Sequence, residues 1–293
     1  MADNRSDRGV SVSTVLARRL GGELLRMREG CGMRQPQAAE ALSASVAKVT
    51  KMERGLVPIR DPDIRSLCQL YDVHDPQAID RLLGLAKADR ERRKAKGWWN
   101  QYPVLGAQVE YVALEDVAAQ VRTHQVTLIP GLLQTPDYAR ALVVGCGAWE
   151  DPDEIERFVE ARIARQDRLN STPPLQLWAL IGEGALRQHV GGRDVMRGQL
   201  EYLLKLTDRP NIKVQVLPFL GGAHAGMQGA FNIISFAEVD ALDVVYLDTP
   251  SSSLWLESEQ DAARHTAIFD RTARNSLAQA DSRSLIRRVI KEL

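Results

Sequence analysis

The chain has 293 residues, of which 44% are hydrophobic, 26% charged and only 5% aromatic, a composition of globular proteins that allows two modest domains. No apolar run approaches the roughly 20 residues of a membrane span, the polar start MADNRSDRGVSVST lacks a secretory core, and Cys31, Cys68 and Cys146 are too few and scattered for a disulfide framework. A cytoplasmic protein without membrane contact is expected. The zero net charge hides an asymmetry, because residues 1–97 hold 19 basic and 13 acidic groups, while the rest carries a net charge of −6. A basic third on an acidic remainder points to a nucleic-acid-facing module joined to a different kind of domain.

Residues 1–14 read as a disordered polar tail. From there to residue 96 the pattern is a series of five short helices without strands. Val15, Leu16, Leu20, Leu24, Leu25 and Met27 recur at helical spacing up to Glu29, and GCG at 30–32 ends that helix. Pro36 suits the first turn of QPQAAEAL. SASVAKVTKMERG (43–55) follows, closed by Gly55. DPDIRSLCQLYDV then starts with Asp61 as N-cap and Pro62 in the first turn, and DPQAIDRLLGLAKADRERRKAK repeats the device with Asp75 and Pro76. Its charged end, RERRKAK (90–96), reads as a solvated helix terminus.

Two short helices joined by a tight turn are helix-turn-helix grammar. The first helix must be small where the second crosses it, which Ala38, Ala39 and Leu42 supply. The second must bury one stripe, for which Ala44, Val49 and Met52 are suited, and Ser43 or Ser45 can cap it. Together, Gly32-Met33-Arg34-Gln35, Ala39/Leu42 and Ser45, Val49, Met52, Glu53, Gly55 resemble the Xre-type, lambda-repressor-like helix-turn-helix family. The resemblance implies that Gln35 contacts a phosphate, that Val46, Ala47, Thr50 and Lys51 lie toward base edges, and that Lys48 reaches a phosphate or a base. Ser45 and Arg54 complete the expected DNA-facing set. Arg28 and Glu53 are implied as a structural pair. With Val46 and Ala47 at the tip, readout would lean on thymine methyls and on Lys51 toward guanine.

GWWNQYP (97–103) marks the boundary to a second domain, residues 97–291. TPDYARALVV and 151–170 read as helices, and strand-like runs lie at 175–181, 212–218, 230–236, 243–247 and 253–257. Helical segments intervene at 193–207 and follow at 258–291. An α+β domain with a mostly antiparallel sheet is expected. Several stretches here, above all PGLLQT followed by YA, resemble the C-terminal domain of the actinomycete WhiJ-like, antitoxin-like regulators. That resemblance implies a regulator whose second domain senses a ligand or a small BldB-like partner protein.

No hydrolase elbow, zinc-protease motif, phosphate loop or cysteine pair is present, so no enzyme, metal or cofactor is expected. Ligand-binding candidates are Trp99, Arg122, Glu183 and His224. Each has an alternative. Trp98, Trp99 and Tyr102 can pack the linker, Glu183 can be an internal ion-pair partner, and the glycines around His224 can simply solve turn geometry between two strands. The expected whole is a homodimeric, sequence-specific transcriptional regulator on a palindromic operator, nucleoid-associated when bound. The alternative is an antitoxin-like protein that acts mainly by holding a small partner encoded nearby.

Overall fold

The computed structural model describes residues 14–94, 97–147, 149–237, 242–249 and 252–293. The expected tail therefore lies outside the described residues, except for Thr14. The chain divides into two compact units, one up to residue 96 and one from residue 97 onward.

The first unit contains five α-helices: α1 (Val15–Gly30), α2 (Gln35–Ala41), α3 (Val46–Glu53), α4 (Asp61–Leu70) and α5 (Pro76–Lys94). Thr14 starts α1 by accepting the Ala17 amide at 3.1 Å, and its hydroxyl donates to Asp89 on α5. Asp61 is not the cap of α4. Arg60 takes the cap position, and Asp61 and Asp63 occupy the first turn, where negative charge meets the positive end of the helix dipole. Asp75 does cap α5, accepting the amides of Gln77 and Ala78 at 3.1 and 3.2 Å. One apolar cluster joins the helices, with Leu20 and Leu24 of α1, Val49 and Met52 of α3, Ile64 and Leu67 of α4 and Leu82 of α5 all buried.

The charged end of α5 is not simply solvated. Arg93 bonds both oxygens of buried Asp89 at 3.0 and 2.9 Å. Arg90 donates to the Ile59 carbonyl at 2.9 Å and pairs with Asp61 at 2.8 Å. The side chains of Arg92, Lys94 and Lys96 fall outside the described residues.

The second unit is built on a six-stranded sheet of order β3-β2-β1-β4-β5-β6, with β1 (Gln120–Gln125), β2 (Gln176–Gly182), β3 (Ile212–Leu217), β4 (Phe231–Ser235), β5 (Val244–Thr249) and β6 (Ser252–Leu256). The sheet is mixed, which corrects the mostly antiparallel expectation. β1, β2 and β3 run parallel, whereas β1–β4, β4–β5 and β5–β6 are antiparallel. The cause is in the connections, since parallel neighbours need long crossovers and antiparallel ones do not. Helices α7 (Pro136–Cys146) and α8 (Pro152–Ala164) lie between β1 and β2, and α10 (Arg193–Leu206) lies between β2 and β3. Two shorter helices, α6 (Val109–Val117) and α9 (Glu183–Arg187), precede β1 and follow β2, and α11 (Glu259–Asn275) and α12 (Gln279–Glu292) end the chain.

The strand β1 was not expected, because QVRTHQ is polar. Its Val121, Thr123 and His124 are nonetheless buried. The free edge of β3 is covered by the segment joining α11 to α12 and by the first turn of α12. Leu277 donates its amide to the Val216 carbonyl at 2.9 Å, and the Ser282 hydroxyl accepts the Val216 amide at 2.9 Å. Such cover removes an edge that would otherwise pair with another chain.

Candidate nucleic-acid interface

The turn between α2 and α3 is closed by backbone bonds from Ser43 to the Glu40 carbonyl (2.9 Å) and from Ala44 to the Ala39 carbonyl (2.8 Å). Ser43 takes a left-handed φ of +49°, a conformation uncommon outside glycine. Ser45, not Ser43, caps α3, with its Oγ accepting the Lys48 amide at 3.2 Å. Ala44 is half-buried in the turn and does not belong to the buried stripe of α3. That stripe is Val49, Met52 and Glu53.

The C-terminal end of α3 touches α1 backbone to backbone. A Cβ on Gly21 would lie 2.4 Å from the Met52 carbonyl oxygen and 2.5 Å from that of Glu53. Gly55 has a φ of +66°, and a Cβ there would meet the Arg18 amide at 2.4 Å. Both glycines are therefore required by close approach, and they fix how far α3 stands from α1.

A buried ion pair sets the rotation of α3. Arg28 Nε and Nη2 donate to Glu53 Oε1 and Oε2 at 2.6 and 3.1 Å, and Arg28 Nη1 donates to the Met33 carbonyl at 2.7 Å. The hydrogen bonds that the guanidinium donates to Glu53 hold it above its ordinary value, outweighing the cost of burial. Glu53 Oε2 also accepts from Gln35 Nε2 at 2.7 Å, and Gln35 Oε1 accepts from the Thr50 hydroxyl at 2.9 Å. Gln35 and Thr50, expected on phosphate and base, thus spend these groups on each other and on Glu53. The second N–H of the Gln35 amide is the group left for a phosphate.

Lys48 is also engaged. Its Nζ lies 3.5 Å from Asp63 Oδ2, and Asp63 is held in turn by Arg60 at 2.9 Å. Burial alone would raise the Asp63 carboxyl, but Arg60 and Lys48 outweigh it and hold it below the usual carboxylate range. The residues of α3 that stand outward are Val46, 42% exposed, together with Ala47, Lys51 and, just past the helix, Arg54. Lys51 forms no ion pair with a described residue. The outward face of α3 is therefore an apolar N-terminal tip followed by positive charge.

The four ligand candidates of the second unit have separate partners and do not converge. Trp99 is buried with Leu105, Val112 and Ala161. Arg122 pairs with Asp243 at 2.7 Å and donates to Thr266 at 3.2 Å. Glu183 accepts from Arg187 at 2.7 Å and from the Phe219 amide at 2.9 Å, so it is an internal partner. His224 lines an open depression with Arg271, Arg274 and Asn275. Its neighbour His124, buried in β1, donates Nε2–H to the Gly226 carbonyl at 3.0 Å.

Residues 108–288 match the family described as domain of unknown function (DUF5753), and that stretch is more than half of the chain. The chain belongs to the DUF5753 family. Residues 19–82 of this DUF5753 protein match a helix-turn-helix domain, so its first unit is that of a DNA-binding regulator. No curated protein and no solved structure matches the chain.

Within the DUF5753 stretch, PGLLQT is a structural hub. Buried Gln134 donates to the Ile129 carbonyl at 2.7 Å and accepts from Arg162 at 2.8 Å. Buried Gln199 of α10 bridges the Leu133 carbonyl and the Thr135 amide, both at 2.7 Å. Alongside lies a bidentate pair, Arg165 Nε and Nη2 to Glu115 Oε1 and Oε2 at 2.8 and 2.9 Å. Sequence reasoning missed Arg162, Arg165 and Glu115, whose partners lie 28 to 50 positions away. Among the described residues no helix is long and apolar enough to cross a membrane, and no group of three or more His, Cys, Asp or Glu is placed to hold a metal ion.

Proposed function

We propose that this DUF5753 protein is a sequence-specific transcriptional regulator of the Xre type, WhiJ-like and antitoxin-like in kind, that binds a palindromic operator as a homodimer. It works in the cytoplasm and is nucleoid-associated when bound. The observation that carries this reading is the geometry of α3. Its inner face is fixed by Val49, Met52 and the Arg28–Glu53 pair, while Val46, Ala47 and Lys51 stand outward. An apolar tip suits the thymine methyl in the major groove, and Lys51 suits guanine. One such helix reads few bases, so a second half-site supplied by a dimer fits the chemistry.

In this reading the DUF5753 unit has no catalytic role. It senses a ligand or partner and biases the affinity of the first unit for DNA. Chromatin immunoprecipitation with sequencing is expected to return a small set of discrete sites containing an inverted repeat. Enrichment spread over bulk DNA, or none, would overturn the proposal.

One observation favours the alternative, that holding a small BldB-like partner protein is the main task. The loop from β3 to β4 exposes Phe219 (65%), Leu220 (99%) and Met227 (66%), and clustered apolar exposure of this kind marks interaction surfaces. Co-purification with a neighbouring gene product that is lost in Leu220→Asp, without any DNA footprint, would favour that alternative.

A further inference from the structure

Arg271 and Arg274 stand three positions apart near the C-terminal end of α11, as neighbours on the helix surface, and both are exposed. Arg271 donates Nε to the Ala267 carbonyl at 3.2 Å, which leaves its terminal N–H groups unspent. Neither arginine forms an ion pair with a described residue. Asp270 precedes them on α11, but it pairs with neither and does not line the depression they share. That depression has a volume of about 460 Å³, with Ala223, His224 and Ala225 contributed by the β3–β4 loop and Arg271, Arg274 and Asn275 by α11. No carboxylate lines it.

The loop side of the depression is held in place by the residue that follows it. A Cβ on Gly226 would lie 2.6 Å from His124 Nε2 and 3.0 Å from Thr272 Oγ1, so glycine lets the loop backbone rest on β1 and α11 at once. Buried His124 ties the same residue down through its bond to the Gly226 carbonyl. His224 Nδ1 accepts the Gly226 amide at 3.2 Å, and burial holds that imidazole below its ordinary value. Its remaining proton therefore sits on Nε2, as a donor. The C-terminal end of α11 carries about half a negative charge of its own, which two guanidiniums outweigh.

We propose that this depression binds a small phosphate monoester, with Arg271 and Arg274 as the charged clamp and the His224 imidazole and Asn275 amide as neutral donors. The donor set selects the class. Guanidinium forks take phosphate oxygens in pairs. Two forks together are better matched by the terminal oxygens of a phosphate monoester than by the two oxygens of a carboxylate or of a nucleic-acid phosphodiester. No indole or phenyl ring lines the depression, so it offers no platform on which a base would stack. The proposal rests on the reading of the DUF5753 unit as the sensing half and names its ligand class.

The test uses the full chain with glycerol phosphate as probe, and glycerol and acetate as neutral and monoanionic controls, read by calorimetric titration. Glycerol phosphate is expected to bind saturably, and both controls roughly tenfold more weakly or not at all. Arg271→Gln and Arg274→Gln are each expected to lose about tenfold in affinity. Arg264→Gln, earlier on α11 and outside the depression, is expected to lose nothing. Ala223→Glu, which sets a carboxylate on the lining, provides a second route to the same loss. All four variants change exposed residues and are expected to keep the wild-type Tm, so lost binding is not lost folding. Equal binding of glycerol phosphate and acetate, or a loss in Arg264→Gln as large as in Arg271→Gln, overturns the proposal. So does a wild type that ignores glycerol phosphate while Arg271→Gln and Arg274→Gln weaken its hold on bulk duplex DNA, which would assign both arginines to the nucleic-acid backbone. Glycerol phosphate that binds through both arginines without altering the affinity for an immunoprecipitated site supports the depression as a site and counts against the sensing reading of this unit.

Discussion

Glu53 holds Arg28 with both carboxylate oxygens, the shorter contact being 2.6 Å, and both side chains are almost wholly buried. The same carboxylate fixes Gln35, which fixes Thr50, so one acidic group at the end of α3 orients the start of α2 and the middle of α3. Removing one partner leaves the other buried and unpaired. Glu53→Gln is expected to destabilise the first unit by about 3–5 kcal/mol, and Arg28→Met with Glu53→Leu to recover most of that loss. Urea unfolding of the two variants checks this. A single variant as stable as the wild type would contradict it.

Gly21 lets the end of α3 rest on α1. Gly21→Ala forces a methyl group into the Met52 and Glu53 carbonyls, and overpacking of this kind costs about 1–3 kcal/mol. The expected result is a lower urea midpoint, with weaker DNA binding from the displaced helix. Gly84, where an added Cβ meets nothing within 4 Å, is the control. Gly84→Ala is expected to be neutral or slightly stabilising.

Lys48 and Lys51 are three positions apart but differently placed. Lys48 is drawn to Asp63, and Lys51 points outward. Lys51→Ala is expected to weaken operator binding by about 1–3 kcal/mol if the lysine meets a base. Lys48→Ala is expected to weaken it less, since its charge is already shared with a carboxylate. Asp63→Asn frees Lys48 for phosphate and is expected to steepen the salt dependence of binding. Fluorescence anisotropy across a salt series separates the three, and identical losses for Lys48→Ala and Lys51→Ala would refute the distinction.

His124 is buried in β1, and burial lowers its pKa, only partly offset by the bond to Gly226, while neighbouring His224 lowers it further. A lowered histidine is neutral in the fold at a pH where the unfolded chain already binds a proton. Its contribution is present above the unfolded value of about 6.5 and is lost as the pH falls through the window below it. The second unit is therefore expected to lose stability as the pH falls below about 6.5, and His124→Asn to flatten that slope. Denaturant unfolding at stepped pH reads it, and an unchanged slope in the variant would assign the loss to other groups.

How much of this was legible in the sequence depended on whether a signal was local. The five helices of the first unit announce themselves through apolar spacing and the Asp-Pro and Gly stops. The placing of Gln35 and Lys48 does not, because motif position says where a residue sits, and only packing says that Glu53 and Asp63 are within reach. In the second unit the apolar strands are visible and β1 is not. Thr123 and His124 are buried polar groups, and His124 finds its carbonyl partner 102 positions away. The mixed sheet follows from the helices lying between β1, β2 and β3, a consequence of connection length that strand composition does not reveal. PGLLQT stood out as a string, but its role as a hub rests on Arg162 and Gln199, far along the chain.

The central claim is that the outward tip of α3, Val46 and Ala47, reads bases. The most direct test is the affinity of the full chain for one immunoprecipitated site in which single thymines are replaced by deoxyuridine, which removes only the methyl group. At the contacted positions the wild type is expected to bind about fourfold more weakly, the worth of roughly 0.8 kcal/mol for one buried methyl, and Val46→Ala is expected to be indifferent to the methyl that Val46 meets. Equal affinity for thymine and deoxyuridine at every position of the site would contradict the claim.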